Sequence, residues 1–198
     1  MYTYIRESGG IGIHDRLKIC CLKGLGVRVP SLLLIGDDMR TKEYDVIVLS
    51  GGFDPIHVGH LRMIQDSAER AKIVVVGVNS DAWLKRKKGY IFMPHEERLE
   101  MVSGVQGVYE AVSFDDSDNS ACDLIRKVKE QWPNFKIAFA NGGDRTTKNT
   151  PEQDYCNQND IDMLWGIGGD YKAQSSSTLV EKANPSHQKG FVRYNKEN

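Results

Sequence analysis

The chain has 198 residues, 40% hydrophobic and 27% charged, enough for one globular domain with a core of its own. A formal net charge of -1 excludes a bulk basic surface for nucleic acid, so any bound anion must be held locally. No apolar run is long enough to span a membrane. Four cysteines (Cys20, Cys21, Cys122, Cys156) form no C-x-x-C pair, which argues against a disulfide scaffold or zinc ribbon and for a reduced, cytoplasmic setting.

Residues 1–40 show no sustained helical or strand period. They form an extension that is either a disordered docking arm or an over-extended reading frame with its native start at Met39. Gly26 to Ser31, "GVRVPS", favours the second reading. It back-translates to codons containing GTTCGAGTCC, a string similar to the T-arm of a transfer-RNA gene. A native peptide from residues 10 to 25, found by mass spectrometry, would sink that idea.

From Tyr44 the pattern is regular. "YDVIVLS" (Tyr44 to Ser50) reads as a buried parallel strand, followed by a Gly-rich turn. "HLRMIQDSAERA" (His60 to Ala71) places Leu61, Ile64 and Ala68 on one helical stripe. "KIVVVGVNS" (Lys72 to Ser80) is a second strand, and "PHEERLEMVSGV" (Pro94 to Val105) a helix opened by proline. "VYEAVSF" (Val108 to Phe114) is a third strand. Ser117 or Asp118 can cap the helix "NSACDLIRKVKEQW", which ends before Pro133. "FKIAFAN" (Phe135 to Asn141) is a fourth strand, with a short helix near Pro151 to Asn157. "IDMLWGIGG" (Ile161 to Gly169) holds a fifth strand, and "SSSTLVEKA" (Ser175 to Ala183) a last helix. Residues 184–198 are a polar tail. The alternation predicts an α/β, Rossmann-like, doubly wound sheet of about five parallel strands over residues 41–183.

In open α/β sheets ligands bind beyond the carboxyl ends of the strands. Four marked segments fall there: "GGFDPIHVGH", "NSDAWLKRKKG", "NGGDR" and "GGDYKAQSSST". Their chemistry fits a nucleoside triphosphate. Gly51 and Gly52 let backbone approach a phosphate, and Gly59 and His60 open a helix whose dipole favours an anion. His57 and His60 can donate to phosphoryl oxygens, and the Lys85–Lys88 run can neutralise them. Zinc on the histidine pair would need further ligands, and Asp54 is the only candidate nearby, so no metal site is assigned. There is no G-x-x-x-x-G-K-[ST] and no G-x-G-x-x-G opening the first helix, which argues against a P-loop and a nicotinamide site. Each segment also has a plain reading alone. The lysines suit a solvated loop, "GGDR" a turn, "SSST" a helix cap, and Arg98 an ion pair with Glu96 or Glu100.

"GGFDPIHVGH" resembles the G-x-F-D-x-x-H-x-G-H signature of the cytidylyltransferase-like nucleotidyltransferase superfamily. At average residue usage its six fixed letters coincide by chance at about 10⁻⁸ per position. "SSSTLV" is similar to that family's last motif. Within the superfamily the chain is most similar to the adenylyltransferase domain of bacterial ADP-heptose synthesis. Next come the glycerol-3-phosphate and phosphoethanolamine cytidylyltransferases.

The resemblance implies transfer of a nucleoside monophosphate from ATP or CTP, with Mg²⁺ on the triphosphate, to a small phosphorylated acceptor. Pyrophosphate would leave, and a homodimer is the assembly the family habit implies. It implies catalytic roles for His57, His60, Lys85 and Lys88, with Lys87 in reserve. Gly51, Gly52, Phe53, Asp54, Gly59, Gly142, Gly143, Asp144, Ser176, Ser177 and Thr178 would bind nucleotide, and Arg98 and Lys172 substrate or phosphate. Two departures weaken CTP as the donor. Cytidylyltransferases commonly carry an arginine before the last motif, where this chain reads "GGDYKAQSSST", and "VDEV" where it reads "VYEAV". Residues 144–160 match neither neighbour and would shape the acceptor pocket. A non-catalytic nucleotide-binding module is the alternative from another class.

Overall fold

The computed structural model describes residues 42–142, 151–169 and 174–183. The expectations for residues 1–40 and for the 184–198 tail lie outside the described residues, as do Gly143, Asp144 and Lys172. The elements in chain order are β1 (Tyr44–Gly51), α1 (Val58–Arg70), β2 (Ala71–Val78), α2 (Asp81–Lys88), α3 (His95–Ser103) and β3 (Glu110–Ser113). They continue with α4 (Cys122–Gln131), β4 (Ile137–Gly142), α5 (Glu152–Gln158), β5 (Asp162–Ile167) and α6 (Ser176–Ala183).

The five strands form one parallel sheet in the order β3-β2-β1-β4-β5. β1 is central, with Ile47 opposite Val74 on one side and Ala138 on the other. A central parallel strand is covered on both faces, which is why Val46 to Leu49 form an unbroken apolar run and are all fully buried. Their side chains alternate between two cores. Ile47, Leu49, Val74, Val76 and Ala140 pack with Ile64 of α1 and Val102 of α3. Val46, Val48, Val75 and Phe139 pack with Leu124, Ile125 and Val128 of α4 and with Cys156 of α5. Each such aliphatic side chain removed from water contributes about 1.5–3 kcal/mol.

Two local expectations are corrected. The Lys85–Lys88 run, whose plain reading is a solvated loop, forms the end of a helix, Asp81–Lys88. Only Leu84 of it is buried, so it carries no apolar stripe; its ends define it instead. The Ser80 hydroxyl accepts from the Trp83 N–H at 3.1 Å, and Gly89 closes the far end at φ 80°. The cap of α4 is neither Ser117 nor Asp118. The buried Glu152 carboxylate, from α5, accepts from the Ala121 N–H at 2.8 Å, and the Ser120 hydroxyl from Cys122 N–H at 3.2 Å. A long-range partner supplies what the local sequence appeared to offer.

The strand order reverses at β1, with β2 on one side and β4 on the other. The crevice between the carboxyl ends of β1 and β4 is therefore where such a sheet accepts a ligand.

Candidate functional site

A cavity of about 290 Å³ opens at that crevice. Its floor is the end of β1, Ser50 to Phe53, beside Asn141 and Gly142 of β4. Phe53 holds φ 48°, a left-handed conformation costing a non-glycine residue on the order of 1 kcal/mol. Burial of its ring against His60, centroids 4.7 Å apart, holds it there. Asp54 and Arg98, expected in the site, brace it from behind and do not line it. The two oxygens of the buried Asp54 carboxylate accept from the backbone N–H groups of Phe92 and Met93, at 2.9 and 2.7 Å. Arg98 is fully buried. It donates to the carbonyls of Met93, Gly52 and Asn79 at 3.0, 2.7 and 2.8 Å, and to Asp81 at 2.6 Å. Its ion-pair partner is thus Asp81, not Glu96 or Glu100.

Both histidines line the cavity at the start of α1. They form a reciprocal cap: Nδ1 of His57 accepts from Gly59 N–H at 3.2 Å, and Nδ1 of His60 from His57 N–H at 3.3 Å. The rings stack with centroids 3.8 Å apart. A Cβ on Gly59 would sit 3.1 Å from Nδ1 of His57, so the glycine is what lets that ring fold over the helix start. Since each Nδ1 accepts, the neutral imidazoles carry their proton on Nε2. Burial, then repulsion from His57 once it is protonated and from Lys88, pushes the pKa of His60 down to about 3. His60 is therefore a neutral hydrogen-bond donor at neutral pH.

The basic run divides by helical geometry. Lys87 and Lys88 line the cavity, and the exposed Lys85 does not. Of the expected pair Lys85 and Lys88, the structure brings Lys88 to the cavity together with Lys87 and leaves Lys85 outside its lining. Arg86 turns away to the Asp116 carbonyl at 2.7 Å and the Asn119 side chain at 3.2 Å. Lys88 donates to the Asp54 carbonyl at 3.1 Å, and burial lowers its pKa. Lys87 lies 4.3 Å over the Trp83 ring, another lining residue.

The far wall is Ile167 to Gly169 after β5 and Gln174 to Ser177 at the start of α6. Gly168 has φ 86°, and a Cβ there would meet the Met63 backbone nitrogen at 2.7 Å. Ser176 is buried and donates to the Pro55 carbonyl at 2.9 Å, tying α6 to the turn after β1. Ser177 faces the cavity. Thr178 does not: its N–H donates to the Ser175 hydroxyl at 3.1 Å, and its own hydroxyl is 2.8 Å from that oxygen. Ser175 lines the cavity beside Ser176 and Ser177. Arg62, Trp83 and Asn141 also line the cavity and escaped the sequence reading. Arg62 could have been found from its position three residues after Gly59, on the same helix face. Among the described residues no aspartate or glutamate lines this cavity, and no cluster of three or more metal-ligating side chains occurs. No helix among them is long and apolar enough to cross a membrane.

Known proteins agree with this geometry. The curated bifunctional protein HldE of Nitratiruptor sp. is 29% identical over 151 residues, covering 75% of this chain and 30% of that protein. Its counterpart in Wolinella succinogenes is 27% identical over 154 residues, covering 77% and 30%. The chain thus spans about 30% of the length of these relatives. A bifunctional NMN adenylyltransferase/ADP ribose pyrophosphatase from Francisella tularensis shares the fold. Its TM-score is 0.51 at 18% identity, over 70% of this chain and 42% of that one. The cytidylyltransferase-like family model matches residues 48–182, from β1 to α6 and across every wall of the cavity. The chain belongs to the cytidylyltransferase-like family of nucleotidyltransferases.

Proposed function

We propose that the chain transfers a nucleoside monophosphate from ATP or CTP to a small phosphorylated acceptor, as a heptose-1-phosphate adenylyltransferase does. An oxygen of the acceptor phosphate attacks the α-phosphorus. The bond from that phosphorus to the bridging oxygen breaks, its electron pair stays on that oxygen, and pyrophosphate leaves. The observation that carries this reading is two Nε2–H imidazoles and the cations Lys87 and Lys88 around one cavity at the switch point. Donors already oriented where charge spreads over phosphoryl oxygens stabilise the transition state without reorganising. The donor would be taken as its Mg²⁺ complex. The described lining offers the ion no carboxylate, so it would ride on triphosphate oxygens.

Glycerol-3-phosphate and phosphoethanolamine are the further acceptors to test. The likeness to HldE over 75% of the chain favours ATP and a heptose phosphate. The test is pyrophosphate release with ATP or CTP, Mg²⁺ and a panel of sugar, polyol and amino-alcohol phosphates. Release with ATP and a sugar phosphate, absent from His60→Ala, is expected. Tight nucleotide binding with no release from any pair above that control would favour a binding module.

A further inference from the structure

The electrostatics of the cavity leave one strong cation without a role. Arg62 lines it from the second turn of α1. Four other arginines among the described residues have acidic partners: Arg70 with Asp66, Arg86 with Asp116, Arg98 with Asp81 and Arg126 with Asp123. Arg62 makes no hydrogen bond or ion pair with the described residues. Asp66, one helical turn further on, is within reach in sequence terms. Its oxygens are taken by Arg70 at 2.7 Å and by the Gly168 N–H at 2.8 Å. Arg62 is exposed, so water satisfies its guanidinium in the free protein; no described side chain competes with an anion for it at the edge of a cavity that holds other cations.

Its place in the cavity says which part of the anion. A Cβ on Gly168 would lie 3.0 Å from the Arg62 carbonyl carbon, so this turn of α1 packs on the end of β5. A Cβ on Gly59, on the same helix face, would lie 4.0 Å from the Gln174 carbonyl, at the approach to α6. Arg62 therefore stands at the β5–α6 wall. Lys87 and Lys88 enter the lining from a different element, α2, whose Trp83 ring would be 3.6 Å from a Cβ on Gly52. An in-line displacement places the attacking and leaving oxygens on opposite sides of phosphorus. Cations carried into one cavity by two different helices, α1 and α2, suit that demand. The α6 wall adds the Ser177 side chain and the start of α6, which suit a multiply charged leaving group.

We infer that Arg62 holds the β- and γ-phosphates of the donor and then the departing pyrophosphate, leaving the α2 lysines to the acceptor phosphate. The inference rests on the nucleotidyltransferase reading. The guanidinium forms paired hydrogen bonds to oxygens of both phosphates, a geometry an ammonium cannot reproduce. As the bond from the α-phosphorus to the bridging oxygen breaks, the electron pair moves onto the pyrophosphate that Arg62 already neutralises.

The test is equilibrium binding to the full chain by calorimetry, with wild type, Arg62→Ala and Arg62→Lys. The ligands are ATP, CTP and their monophosphates, with inorganic pyrophosphate as a separate probe. An exposed side chain without a partner can be removed without unfolding the helix, and a melting temperature for each variant verifies that. Arg62→Ala should weaken the better-bound triphosphate and pyrophosphate by about 10- to 100-fold, the range for charge-assisted hydrogen bonds. Affinity for the monophosphate should stay within about 2-fold, and Arg62→Lys should recover part of the loss. Equal losses for tri- and monophosphate would overturn the inference by placing Arg62 on base or ribose. So would an unchanged triphosphate affinity. If wild type binds neither ATP nor CTP, the nucleotidyltransferase reading falls and this inference with it.

Discussion

Replacing Arg98 with methionine separates a structural guanidinium from one that meets substrate. Methionine keeps the unbranched apolar stem and removes four hydrogen bonds, to Met93, Gly52, Asn79 and Asp81. These losses are unequal. The Asn79 carbonyl keeps the His95 ring at 3.1 Å, and the Asp81 side chain, 38% exposed, can rehydrate. No such second partner is present for the carbonyls of Gly52 and Met93 among the described residues. At about 1–3 kcal/mol for each orphaned group, the variant should lose about 3 kcal/mol. That agrees with the lower end of the cost of breaking a buried ion pair, about 3–5 kcal/mol. For a domain of this size it lowers the melting temperature by about 10 °C. Urea denaturation should show the midpoint falling with an unchanged slope. Arg98→Lys, keeping the charge but not the fork, should lie between the two. A stability loss under about 1 kcal/mol, joined to a raised KM for acceptor, would refute the reasoning and put Arg98 on substrate.

Other substitutions test the remaining walls. Lys88→Ala should lower kcat/KM by about 100-fold, while Lys85→Ala, outside the cavity, should stay within about 2-fold in the same assay. Nitrogen-15 NMR of His60 should show the Nε2–H tautomer at pH 7 and no titration near pH 6.5; a midpoint at 6 or above would contradict the burial argument. Because its folded-state pKa is depressed, the stability His60 confers is fully present above about pH 6.5. It is lost as pH falls towards about 3, so His60→Asn should flatten the acid limb of a stability profile. Gly168→Ala adds a Cβ 2.7 Å from the Met63 backbone nitrogen at φ 86°, and should cost about 2 kcal/mol or more by thermal melting.

The strands were legible because burial on both faces leaves an unmistakable record: β1, β2 and β4 are runs of valine, isoleucine, leucine, alanine and phenylalanine. The short helix α2 was not, because one buried leucine in eight residues gives no periodicity. Its signals were the Ser80 cap and Gly89, which act only at its ends. In the site, the motif "GGFDPIHVGH" contributes His57, Gly59 and His60 to the cavity lining. It did not separate Asp54, whose carboxylate faces the backbone of Phe92 and Met93, from its neighbours. Spacing reports which residues are near one another and not which way each side chain turns. The same limit explains why Lys85 and Thr178 looked equivalent to Lys88 and Ser177. Arg62 escaped because it belongs to no motif, and its significance depends on β5 and α6, more than 100 residues away.

The pairing of neutral histidines with flanking cations has a consequence for how the site responds to its ligand. Lys88 and His57 both push against protonation of His60, so in the free protein its imidazole is a donor that brings no charge. Lys88 is itself partly buried and shifted towards its neutral form. A bound triphosphate reverses the sign of that environment. Its negative charge favours the ammonium of Lys88. The cavity is thus held close to electrically frustrated when empty, and the anion relieves it. Binding should therefore draw a proton onto Lys88 where that amine is partly neutral, and the uptake should grow as pH rises above neutrality, measurable as a buffer-dependent enthalpy. The same relief makes affinity steeply dependent on ligand charge. Triphosphates would be preferred over monophosphates by coulombic selection, before any contact to the base contributes.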